Sequence, residues 1–292
     1  MKKIIMAVAS AAVACCIGFA AVGCGGSQLI TVFNRESGSG TRGAFTDILG
    51  IEEEELIPGA AQHSSTGAVV TAVADDPNAI GYISLGSLDS SVKALSVEGV
   101  VPSEATVQDG TYKIARPFEL MYQEENVEKN DLLAEFLEYL ESADVQPTVA
   151  EEGYVSLDKE FADYTAPEAQ FETTTLDVGG STSVQPFMAI LAEQYEALIK
   201  ETTGQEITIS VQGGGSGAGK TGAANGSFDI GMASEEVSAS DFENPTGTMV
   251  VDTLCMDGIA VVVNPANDLT NITLAQLKDI YTGVITDWSE IK

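Results

Sequence analysis

Leu176-Asp177-Val178-Gly179-Gly180-Ser181-Thr182-Ser183-Val184-Gln185-Pro186 runs from a strand-like start, through a loop of glycine and hydroxyl residues, into a helix. The helix is expected from about Thr182 to Lys200, with Phe187, Met188, Leu191, Tyr195 and Leu198 on one face. Pro186 falls in the first turn, where a missing N–H is tolerated. The same order of elements recurs twice. Gly213-Gly214-Gly215-Ser216-Gly217 follows the β-branched run Ile207 to Val211, and Ser37-Gly38-Ser39-Gly40-Thr41 follows Leu29 to Phe33. Ala79 to Ile83 reads as another strand, and Ile259 to Val263 as one buried on both faces. Leu132, Leu133, Phe136, Leu137 and Leu140 recur at helical spacing after Asn130, an N-cap residue; Thr273 with Gln276 forms a capping box. Strand, loop and helix in repeated alternation imply an α/β architecture with mostly parallel sheets.

The 292 residues carry 13 Lys and Arg against 44 Asp and Glu, a formal charge of −31. Length and a 44% apolar content suit a folded protein with a sizeable core. Such acidity excludes an electrostatic footprint for nucleic acid or an anionic membrane surface. It does not exclude a small anion, because surface charge is screened over about 8 Å at physiological salt. A single histidine argues against a His-rich metal site. Lys2 and Lys3 precede an Ala-rich apolar run to Val22, which reads as a secretory signal over 1–23. Without its two lysines the formal charge moves from −31 to −33. Cys15 and Cys16 leave with that leader, and Cys255, alone in an apolar stretch, reads as a buried small hydrophobe.

Each glycine-rich loop opens a helix, where backbone N–H groups lack intrahelical partners and the macrodipole is positive. Glycine admits close approach and serine or threonine adds a hydroxyl, so each loop can cradle an oxyanion. Arg35 stands just before one of them. Gly214-Gly215-Ser216-Gly217-Ala218-Gly219-Lys220-Thr221 also matches the nucleotide-binding P-loop pattern. Gly222 and Gly226 make the following helix short, and no convincing Walker B strand accompanies it, the best being Met249-Val250-Val251-Asp252. The nucleotide reading is set aside. Hydrolysis is also disfavoured: Ser39 and Ser216 sit in no G-x-S-x-G elbow, and His63 is the only imidazole.

Taken together these motifs resemble the phosphate-binding lipoproteins of bacterial phosphate ABC transporters. Ala21-Val22-Gly23-Cys24 is similar to the lipobox, which implies cleavage before Cys24 and its lipidation, with palmitate-type chains holding the protein on the outer face of the cell membrane. Gly180 to Pro186 resembles the family's first anion loop, Ser216-Gly217 its second, Asp229 to Glu235 its carboxylate-bearing segment, and Arg35 to Arg42 its most specific signature. Asp279 to Gly283 and Trp288 extend the likeness over nearly all of the exported chain. The resemblance implies a two-lobed, periplasmic-binding-protein-like fold (type II) that closes on one phosphate. It implies ligand contacts from Arg35, Ser39, Gly40, Thr41, Thr182, Ser183, Ser216, Gly217 and Glu235, with neither cofactor nor metal. Glu235 would accept the proton that phosphate keeps near neutral pH and sulfate lacks, although many members have aspartate there and some arginine. The partners implied are inorganic phosphate and the membrane permease subunits, and a monomer is the expected working unit.

The order of segments is unusual. Most members begin with a loop like that of Thr182 and run from a segment like Asp287-Trp288-Ser289 into one like Ile30-Thr31-Val32; here the chain starts at the latter and ends at the former. It therefore reads as circularly permuted, with 158–175 joining what are usually the two termini. One lobe is expected from 24–112 plus 261–292, the other from 113–260. Glu52 to Glu55 reads as a solvated loop or helix start, His63 as a surface residue, and Ser64-Ser65-Thr66 as a cap facing the cleft.

Overall fold

One strand of 15 residues, Met249–Val263, runs through both halves of the molecule and organises everything around it. The computed structural model describes residues 28–291; the leader expected at 1–23 and the lipidation expected at Cys24 lie outside the described residues. In chain order the strands are β1 (Thr31–Arg35), β2 (Ala61–His63), β3 (Ala79–Ser84), β4 (Lys93–Ala94), β5 (Ser96–Val97) and β6 (Ala115–Gln123). They continue as β7 (Thr175–Gly180), β8 (Thr208–Gly213), β9 (Ile230–Ala233), β10 (Met249–Val263) and β11 (Asn271–Ile272). The helices are α1 (Gly40–Leu49), α2 (Thr66–Asp75), α3 (Glu104–Gln108), α4 (Glu124–Val127), α5 (Asp131–Leu140), α6 (Gln146–Glu151), α7 (Gln185–Thr203), α8 (Ser216–Asn225) and α9 (Leu274–Tyr281). Among these residues no helix is long and apolar enough to cross a membrane.

The main sheet runs β2-β1-β3-β10-β6-β9-β7-β8, with β4 also on β10. Its two ends are parallel, β2 and β3 on β1, and β8 and β9 on β7. Its centre is antiparallel: β10 pairs with β3 through Ile259–Val263 and with β6 through Met249–Gly258, and β6 pairs with β9. The expectation of mostly parallel sheets thus holds only at the two ends. The chain crosses between halves twice in opposite directions, and the two crossing strands can ladder only antiparallel.

Among the described residues two large apolar cores lie on either side of this crossing, with a smaller cluster of Met121, Ala223, Ala224, Ala233 and Phe242. One gathers Phe45, Val69, Ile80, Tyr82, Ile83, Ile114, Val261 and Tyr281; the other gathers Phe118, Leu133, Phe136, Val178, Phe187, Leu191, Tyr195 and Cys255. Each such fully buried side chain stabilises its half by about 1.5–3 kcal/mol. The change of core falls between Ile114 and Phe118 on one crossing and between Cys255 and Ile259 on the other. A buried ion pair, Arg116 to Asp257 at 2.9 Å, pins the crossings together there. Cys255 is buried and pairs with no other cysteine among the described residues, in keeping with its reading as a small hydrophobe.

Local signals place the helices. Ser39, Ser65, Asn130 and Thr273 each accept a backbone N–H from the first turn that follows, as N-caps do. α7 begins at Gln185 rather than near Thr182, because Ser181–Val184 form a turn in which the Ser181 hydroxyl accepts from Ser183 N at 3.2 Å. Residues 158–174 carry no helix or strand. They lie along the second core, held by Ala143 N to Ala162 O at 2.8 Å and by the Tyr164 hydroxyl on Glu135 at 2.9 Å. The two ends of the described chain meet: Ile30 N donates to Thr286 O at 2.8 Å and Trp288 N to Gln28 O at 3.0 Å.

Candidate functional site: a buried guanidinium at five strand ends

The carboxyl ends of β1, β2, β7, β8 and β9 converge in the cleft between the two cores. In open α/β sheets this is where ligands bind. Each end leads into a hydroxyl-bearing turn: Arg35 to Ser39, Ser64 to Thr66, Ser181 to Ser183, Ser216, and Ser234. Four of these turns open a helix, so the N-termini of α1, α2, α7 and α8 face the same cleft with their positive ends.

Arg35, the last residue of β1, is only 2% exposed. Its Nε donates to His63 O at 3.1 Å, Nη1 to Thr66 Oγ1 at 3.3 Å, and Nη2 to Ser64 O at 3.4 Å and Thr182 Oγ1 at 2.9 Å. Every acceptor is neutral. Among the described residues the ion pairs are Arg42–Glu53, Arg116–Asp257, Lys200–Glu206 and Lys220–Glu235, so no carboxylate pairs with Arg35. Burial lowers its pKa to about 10, which leaves it charged at neutral pH. A buried cation facing only dipoles is a costly arrangement unless an anion completes it. Beside it the Thr41 and Thr66 hydroxyls each lie 2.9 Å from the Ser183 hydroxyl, joining α1, α2 and the α7 turn.

A second group of hydroxyls sits one turn away. Ser181 Oγ donates to Ser234 Oγ at 2.9 Å, and Ser234 N donates to Ser216 Oγ at 3.1 Å. Gly180, at φ 139°, makes this turn possible: a Cβ there would stand 2.3 Å from the Met232 carbonyl. Arg116 supports the group from below, donating to Ser234 O at 3.0 Å.

Of the residues singled out from sequence, Arg35, Thr41, Thr182 and Ser183 come together in one hydrogen-bonded cluster. Ser39 caps α1, accepting from Arg42 N at 3.4 Å. Ser216 holds Ser234, and Gly217 N donates to Gly38 O at 3.0 Å, so this backbone donor is engaged between the turns that open α8 and α1. Gly40 packs on Ser216. Glu235 departs from its expected place: its carboxylate pairs with Lys220 at 2.9 Å and lies against Gly43, with no bond to the cluster. Two residues on from Ala233 the strand has ended and the chain has turned outward; Ser234 is the residue left facing in. His63 is also corrected. It is half-buried, edge-on to Phe33 at 5.0 Å, with Nε2 lacking a partner among the described residues; burial and the Arg35 charge push its pKa down. Glu53–Glu55 form an exposed helical turn, as read.

Thr66 enters the cluster as a full member, where the sequence offered only a capping triplet. Ser181 and Ser234 were missed. Each stood beside a residue singled out from sequence, and only the strand ends decide which of two neighbours points inward.

This arrangement has relatives. The chain matches the model of a PBP superfamily domain over residues 23–144 and 165–291. It is 39% identical over 291 residues to phosphate-binding protein PstS 2 of Streptococcus pneumoniae serotype 4, covering 94% of this chain and 95% of that protein. It is 37% identical to phosphate-binding protein PstS 2 of Streptococcus agalactiae serotype V, covering 90% and 87%. The crystal structure of a phosphate ABC transporter phosphate-binding protein from S. pneumoniae TIGR4 superposes with a TM-score of 0.68 at 38% identity, covering 90% of this chain and all of that one. The two-lobed α/β chain belongs to the PBP superfamily and, within it, to the family of PstS phosphate-binding proteins.

Proposed function

We propose that this protein captures inorganic phosphate outside the cytoplasm and delivers it to the membrane subunits of a phosphate ABC transporter. The carrying observation is Arg35, a buried guanidinium bonded among the described residues to neutral oxygens alone, at the meeting point of four helix N-termini. Its counter-ion is the ligand. Arg35, Thr41, Thr66, Thr182 and Ser183 form the inner contacts. Ser39, Gly40, Ser216 and Gly217 form the surrounding seam, and Glu235 stands outside it. Both lobes contribute, so the anion favours the closed state, which the permease recognises. The family is one of transport binding proteins, and turnover is not part of this reading.

In the same reading, 24–112 with 261–292 form the lobe of Arg35 and 113–260 the lobe of Thr182. A lipidated Cys24 holds the monomer at the outer face of the membrane. The segment order is a circular permutation. That view is supported by Ile30 N on Thr286 O and Trp288 N on Gln28 O, which bring together the ends that a rotated order requires to be neighbours.

A second reading, another tetrahedral oxyanion, is favoured by one observation: with Glu235 on Lys220, no carboxylate among the described residues is bonded into the cluster to test for a ligand proton. Titration calorimetry with phosphate, arsenate, sulfate and molybdate separates the two. Tightest binding of phosphate supports the first, and a tighter fit for sulfate or molybdate supports the second.

A further inference from the structure

Two lobes that close over an anion must bring their backbones into contact, and here the seam is glycine on both sides. Gly217 N donates to Gly38 O at 3.0 Å, and a Cβ on Gly215 would lie 3.1 Å from that same carbonyl. The tightest point is Gly40. A Cβ there would stand 2.4 Å from Ser216 Oγ, 3.0 Å from Ser216 Cβ and 3.1 Å from Ser234 Oγ. All three atoms belong to the other lobe. Gly43, one turn on, would meet Glu235 Oε2 at 2.5 Å, but that is the end of a movable side chain whose Cδ lies 3.7 Å away.

Nothing in α1 itself asks for glycine at position 40. Its φ is not among the positive ones, it is the first helical residue, and alanine is the better helix former there. The missing side chain therefore serves the contact across the cleft. We propose that Gly40 is a positioning residue for lobe closure: it lets the start of α8 dock on the start of α1, so that the Gly217 N–H clasps the Gly38 carbonyl. The segment that matches a P-loop works in this chain as one half of a lobe clasp. The inference rests on the reading of the cleft as one that closes on phosphate.

The test is Gly40→Ala, with Gly43→Ala and Ser216→Gly beside it. Gly40→Ala should weaken phosphate binding by about 10- to 100-fold, the range expected for overpacking a tight contact. The loss should appear as faster release in stopped-flow, and the phosphate-saturated variant should keep a larger radius of gyration than wild type in solution scattering. Gly43→Ala should stay within about threefold of wild type, since only a flexible carboxylate must move. Adding Ser216→Gly to Gly40→Ala should restore affinity to within about threefold of Ser216→Gly alone, a non-additivity reserved for residues in contact. Wild-type affinity in Gly40→Ala overturns the proposal, as do additive losses in the double variant. A Gly40→Ala protein that fails to fold also overturns it, because the constraint would then lie within one lobe. If wild type itself binds no phosphate, the functional reading fails instead. The scattering radii of ligand-free wild type and Gly40→Ala still decide the seam, with the variant expected to be wider.

Discussion

Arg35 Nη2 donates to Thr182 Oγ1 at 2.9 Å, joining the end of β1 to the turn before α7 across the cleft and across 147 positions of sequence. This bond ties the guanidinium to strand ends that pack on both cores. Thr182→Val keeps the shape and removes the acceptor. A hydrogen bond to a charged group is worth about 1.5–3 kcal/mol, so phosphate affinity should fall about 10- to 100-fold by calorimetry. A change below about threefold would mean that the contact does not survive ligand binding.

Arg116 and Asp257 bind each other with two guanidinium bonds, of 3.1 and 2.9 Å, inside the crossing strands. Asp257 also accepts from Ser84 Oγ at 2.9 Å and Leu85 N at 3.1 Å, while Arg116 reaches Ser234 O. Removing one partner strands the other charge in a dry interior. Arg116→Met should cost about 3–5 kcal/mol in urea unfolding. Replacing both with apolar residues should cost less than either single change, and equal or larger loss in the double variant would contradict the pairing.

Glu119, 7% exposed on β6, has an Oε2 without a hydrogen-bond partner among the described residues. Burial pushes its carboxyl above the usual carboxylate range, and Asp252 and Glu236 add to the shift. The folded state therefore holds its proton more tightly than the unfolded chain. The ionised form costs stability above the raised pKa, and the cost fades as pH falls toward the unfolded value. Glu119→Gln should melt higher than wild type at pH 8, with the difference shrinking toward pH 4. A difference that is flat across this range would show that the charge is not the cause.

Glu235 gives the sharpest contrast with the reading from sequence. Because its carboxylate rests on Lys220 and bonds to no residue of the cluster, Glu235→Gln should change phosphate affinity by less than about threefold. A loss of 30-fold or more by calorimetry would put the carboxylate back on the ligand.

The strand–glycine–helix runs made the α/β class legible, because hydrophobic period and caps are local: Asn130, Thr273 and Pro186 all act where their sequence context places them. Arg35, Thr41, Thr182 and Ser183 were legible as members of recognisable loops. What the sequence could not carry is which neighbour faces the cleft. Ser234 and Glu235 are adjacent, and the choice depends on where β9 stops and on Lys220, which the P-loop-like helix presents from elsewhere. The antiparallel centre was hidden for a similar reason, since the pairing of β6 with β10 joins residues more than a hundred positions apart.

The central claim is that a buried Arg35, paired with no carboxylate among the described residues, binds phosphate. Titration of phosphate into wild type and Arg35→Ala, at fixed pH and salt, tests it most directly. One phosphate per chain is expected for wild type. For Arg35→Ala, affinity should fall by at least about 100-fold, the scale of removing one member of a buried charged contact. A wild-type protein that takes up no phosphate, or an Arg35→Ala variant that binds it within tenfold of wild type, would contradict the account.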